Sequence, residues 1–89
     1  MILGKVIGTV WATRKDENLV GATLQIVKHV DLEYKVKDQF VVAMNTVQAG
    51  VGDIVLVATG SSARQTAQTK NKPVDAVIMA VVDTLDVRE

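Results

Sequence analysis

The chain has 89 residues, ten basic and ten acidic, with a formal net charge of zero. Residues 1–89 suit one domain with a limited core, yet 48% of them are hydrophobic, a surplus that points to association with further copies. Zero net charge argues against a protein held to nucleic acid by phosphate neutralisation, and the absence of cysteine removes disulfide and thiolate chemistry and fits a reducing cytoplasm.

The opening stretch MILGKVIGTVWATRK mixes apolar residues with Gly, Lys and Thr, so no secretory signal is expected. No apolar run reaches membrane-spanning length. Residues 2–13 alternate, with Ile2, Gly4, Val6, Gly8, Val10 and Ala12 on one face and Lys5, Thr9 and Thr13 on the other. The pattern predicts a strand with one buried face. Gly4 and Gly8 inside it suggest a bend or bulge. RKDEN at 14–18 reads as a polar turn. ATLQIVKHV at 22–30 reads as a second strand, with Leu24, Ile26 and Val30 on one face and the lone histidine, His29, on the polar one.

Residues 31–38, DLEYKVKD, read as a charged loop or hairpin tip, and QFVVAM at 39–44 as a third strand. The glycine-bearing turn QAGVGD at 48–53 leads into a fourth strand, DIVLVAT at 53–59. After the stretch 60–66 and a loop at 69–73, VDAVIMAVVDTLDV at 74–87 reads as a long fifth strand. Both its faces are apolar: Val77, Met79 and Val81 on one, Ile78, Ala80 and Val82 on the other. A strand buried on both faces usually belongs to a helix-covered α/β sheet. Only the link after Thr59 is long enough for a helix, so one face is expected in a barrel and the other on a neighbouring subunit. The expected fold is all-β: a small five-stranded, OB-like Greek-key barrel with one short helix between the fourth and fifth strands.

GSSARQT at 60–66 admits three readings. A short helix capped by Ser61 or Ser62 accepting a backbone N–H is the plainest. A phosphate-binding loop needs more glycine and a lysine followed by Ser or Thr. A nucleophilic serine needs a base and an orienting group, and His29 stands alone. No Asp, Glu or His cluster has metal-ligand spacing, so neither a metal nor a cofactor is expected. An OB-type nucleic-acid module is the alternative. It is disfavoured by having only Trp11, Tyr34 and Phe40 as aromatics and no basic excess, and Trp11 and Phe40 are assigned to the core or an interface.

GKVIGTVWATRK, LVGATLQIV, AGVGDIVLV, GSSARQ and PVDAVIMAVVDTL, in this order over nearly the whole chain, resemble the bacterial microcompartment vertex family of the EutN/CcmL type. The resemblance implies an OB-like barrel that assembles with itself into pentamers. These sit at shell vertices beside hexameric shell proteins, in the cytoplasm, without catalysis. It also implies a subunit interface, for which the expected residues are Ala49, Gly50, Asp53, Gly60, Ser61, Ser62, Arg64, Asp75, Ile78, Ala80 and Val82. Arg64 offers a planar fork to a carboxylate or to backbone carbonyls, with Asp53 and Asp75 as candidate partners. Where family members commonly carry an acidic residue and a glycine before AG, MNTVQAGVGD has Asn45 and Gln48.

Overall fold

Apolar alternation forms five strands: β1 (Ile2–Val10), β2 (Leu24–Val30), β3 (Val36–Asn45), β4 (Ile54–Thr59) and β5 (Ala76–Val81). The computed structural model describes residues 1–13 and 15–88; Arg14 of the expected 14–18 turn and Glu89 lie outside these. The strands close into a barrel in the order β1–β2–β3–β5–β4. Every neighbouring pair is antiparallel except β3 and β5, which meet in parallel through Met44 opposite Val77 and Asn45 opposite Ile78. The expected all-β barrel is the observed fold. Its one turn of helix between β4 and β5 is a 3-10 helix, Gly60–Arg64.

A narrow barrel leaves little room inside, and the core is made of small and β-branched side chains. Val6, Val27, Ala43, Ala49, Val55, Val57, Ala76 and Ile78 fill it. The tightest point is Gly4. A Cβ there would clash with the Val27 side chain and stand 2.8 Å from the Lys28 carbonyl oxygen, so Gly4 serves close strand approach. The bulge lies one step on, between Val6 and Gly8.

The inward face of β2 differs from the one expected. Gln25, Val27 and Val30 are buried, while Leu24 and Ile26 face outward. The cause is register: Val6 pairs with Val27, so a strand with a period of two must turn Leu24 and Ile26 away. A second irregularity, between Lys28 and Val30, returns Val30 to the interior. Gln25 is tolerated inside because its Oε1 accepts a bond from the Thr9 hydroxyl at 2.9 Å.

β5 is shorter than the expected 74–87 strand, and its two apolar faces have a different explanation. Ile78 points into the barrel. Val77 points outward, but the chain's own helix covers it: Ala58, Ala63 and Val77 form a second cluster with Met44 and Met79 against it. No neighbouring subunit is needed to bury this part of β5. Beyond Val81 the chain leaves the sheet, with the Val82 N–H donating to the Ile54 carbonyl at 2.7 Å. The charged 31–38 segment contributes Val36–Asp38 to β3, and the hairpin tip is confined to Asp31–Lys35.

Candidate functional site

The 60–64 helix starts at a backbone turn that suits glycine. Gly60 has φ of +65°, and its N–H donates to the Asp75 carbonyl at 2.8 Å, tying the start of the helix to the approach of β5. The expected serine cap is absent. Thr59 holds the N-cap position without a side-chain bond, and the Ser62 hydroxyl donates backward to the Thr59 carbonyl at 2.6 Å. Ala63, fully buried, anchors the turn to the barrel wall. Arg64 Nη1 donates to the Val74 carbonyl at 3.0 Å. Arg64 thus meets a backbone carbonyl of its own chain, and neither Asp53 nor Asp75 forms an ion pair with it.

The other expected cluster lies at the opposite end of β4. The Asn45 side chain ties down its loop: Nδ2 donates to the Ala49 carbonyl at 2.7 Å, and Oδ1 accepts from the Ala49 N–H at 3.0 Å. Asp53 closes the turn by accepting the Gly50 N–H at 2.8 Å. Its backbone continues the lock, donating to the Gly50 carbonyl at 3.0 Å and accepting from the Val6 N–H at 3.0 Å. Gln48 sits in the left-handed region at φ +58°.

The candidate residues therefore fall into two groups separated by the length of β4. Gly60, Ser61, Ser62, Arg64 and Asp75 lie at one end. Gly50, Asp53, Ala80 and Val82 lie toward the other, where Val55 pairs with Val81 and Leu56 with Ala80. Ile78 is 0% and Ala49 5% exposed, and the side chains of both pack in the barrel core of the single chain.

One surface escaped the sequence-based assignment. On the outer wall, Leu24 pairs with Met44, Ile26 with Val42 and Lys28 with Phe40. Phe40 is 60% and Val42 41% exposed, so Phe40 serves the surface and not the core. The signal was the unbroken run FVVAM, whose Val41 and Ala43 turn inward while Phe40, Val42 and Met44 turn outward. Trp11, 90% exposed just past β1, is likewise outside the core.

The chain's one histidine does not line the recess that Ser61 lines. His29 lies on β2, lining a separate recess with Ile2 and residues 38–41. It is not the exposed residue expected: it is half-buried, and its Nε2 is enclosed without a hydrogen-bond partner. Among the described residues no three His, Cys, Asp or Glu side chains gather as metal ligands, and no helix is long and apolar enough to cross a membrane.

A family model described as ethanolamine utilisation protein EutN/carboxysome matches residues 1–83. The bacterial microcompartment shell vertex protein GrpN of Rhodospirillum rubrum is 42% identical over 86 residues, 97% of each chain. The pentameric GrpN structure superimposes with a TM-score of 0.90 at 41% identity, covering 99% of this chain and 100% of that one. The structure of the Nostoc sp. PCC 7120 protein CcmL gives a TM-score of 0.94 at 40% identity, covering 98% and 92%. By sequence, that Nostoc carboxysome shell vertex protein is 40% identical over 90 residues, 100% of this chain and 89% of its own length.

Proposed function

The chain belongs to the ethanolamine utilisation protein EutN/carboxysome family, whose relatives are microcompartment shell vertex proteins, and from that premise we propose that it forms a homopentamer capping the vertices of a microcompartment shell. The observation that carries this reading is the end-to-end likeness to a pentameric shell protein. The whole chain acts as one vertex domain, in the cytoplasm and within the shell, beside hexameric shell proteins. It works by assembly and not by catalysis.

The surface supports an assembly role. Phe40, Val42 and Val81 leave apolar area in water that a partner would cover. The two polar groups at opposite ends of β4 suit a cyclic ring. Its head-to-tail contacts join two different patches, one on each neighbour, and close when the rotation divides the circle. In such a ring Arg64 of one copy faces the Asp53 end of the next, and the guanidinium N–H groups not used on Val74 serve that contact.

Native mass spectrometry of the purified protein over a range of concentrations tests the reading. A dominant pentamer is the expected result. A stable monomer at all concentrations would remove the link between the exposed apolar surface and assembly, and a dominant hexamer would overturn the five-fold vertex assignment for this chain.

A further inference from the structure

Beside the 60–64 helix opens a cleft of about 940 Å³. Arg64, Lys70 and Lys72 line it, and among the described residues no carboxylate does. In a chain with equal numbers of acidic and basic residues, this is local segregation of charge. The ion pairs formed among the described residues are Lys37 with Asp31 and Arg88 with Asp86, so the three cleft cations have no carboxylate partner there.

The loop that carries the lysines is held in place by its own bonds. Thr69 is fully buried, and its hydroxyl lies 2.6 Å from that of Thr66. The Lys70 N–H donates to the Thr66 carbonyl at 3.0 Å and the Lys72 N–H to the Thr69 carbonyl at 2.9 Å. With Arg64 bonded to Val74, the loop sets three cationic residues along one cleft. Like charges held together repel, and an incoming anion relieves that repulsion.

Size separates the anions that fit. Sites for ligands of drug size span roughly 300–1,000 Å³, and a single oxyanion would leave most of this cleft empty. Asn18, Gln65 and Asn71 line the same walls with amide donors and acceptors that match a peptide main chain. We propose that the cleft binds an acidic peptide segment of a partner protein, its carboxylates on Lys70 and Lys72 and its backbone against the amide side chains. The cleft shares Arg64 with the proposed ring contact, so the test rests on Lys70 and Lys72, which that contact does not use.

A fluorescent oligoglutamate peptide titrated into the intact protein tests the proposal by anisotropy. Saturable, salt-sensitive binding is expected, weakened about tenfold in K70A/K72A. The charge-matched K15A/K35A variant, altered away from the cleft, is expected to bind like the wild type. Q65E, which puts a carboxylate on the cleft wall, is expected to reproduce the loss without removing a lysine. Native mass measured on each variant separates a cleft effect from a change in assembly. Absence of saturable binding, or equal losses in K70A/K72A and K15A/K35A, would overturn the proposal. Displacement of the peptide by inorganic phosphate at matching concentration would overturn it in favour of a small-anion site.

Discussion

Gln48 shows how a single residue can run against its own backbone. It sits at φ +58°, where a side chain meets the neighbouring carbonyl and glycine does not. The loop holds it there because Asn45 fixes the segment from both sides through Ala49. Replacing Gln48 by glycine is expected to stabilise the protein by about 0.5–1 kcal/mol, the relief of strain outweighing the added freedom of the unfolded chain. Urea denaturation of the two proteins side by side measures it, and a lower midpoint for Q48G would show that the glutamine side chain contributes more than its backbone costs. The sequence marked this position as a departure from the family pattern; it did not reveal that Asn45 compensates, because a side chain bonding a backbone four residues away leaves no periodic trace.

At the scale of elements, β-strands were legible where one face is apolar and the other polar, and less so where both are apolar. The misassigned face of β2 follows from a period of two, in which a single residue of register inverts every side chain. The double apolarity of β5 concealed the 60–64 helix as its cover, since Ala63 carries no pattern of its own. The candidate contact residues were legible as motifs, but their division between two ends of β4 is a property of pairing that no motif spells out. The charged 31–38 stretch reads as a loop or hairpin tip, and the tip is Asp31–Lys35. Its order comes from Asp31, whose Oδ1 accepts the Glu33 N–H at 2.8 Å and the Lys35 N–H at 2.9 Å. The Lys35 bond, then the Glu33 bond, hold its carboxyl below the usual value of 3.8, with Lys37 adding a weaker pull. A carboxyl whose folded value is depressed stabilises the fold above its unfolded value and loses that contribution as pH falls through the folded one. The tip is therefore expected to be ordered at neutral pH and to loosen progressively below about pH 3.8. Hydrogen exchange at the Lys35 amide, compared in the wild type and in D31N, checks this. The variant should exchange faster at neutral pH, and equal protection in both would show that the tip is held by something else.

For the whole molecule, assembly depends on surfaces the isolated barrel does not use. Arg64 is exposed, and its side chain donates to the Val74 carbonyl of its own chain. Charge reversal there is expected to leave the barrel folded and shift the population from rings toward smaller species. Loss of one partner from a desolvated, hydrogen-bonded charge pair weakens a contact by roughly 2–5 kcal/mol. A ring repeats that loss at every interface. Native mass spectrometry of R64E alongside circular dichroism decides the matter. A folded variant that keeps its full ring would remove Arg64 from the interface.

The seam between β3 and β5 is sealed by only two facing pairs, Met44 with Val77 and Asn45 with Ile78. β5 must also be inserted between two strands made before it, β3 and β4. Ribosomes deliver chains from the N-terminus, so until Ala76–Val81 emerge, β4 carries a bare row of backbone donors and acceptors along Val55–Thr59 and β3 is open at Met44 and Asn45. Open strand edges of this kind pair with whatever strand they meet. The most hazardous moment in the life of this protein is therefore the interval on the ribosome before its last strand arrives, when nascent copies on one message stand close together with their edges unsealed.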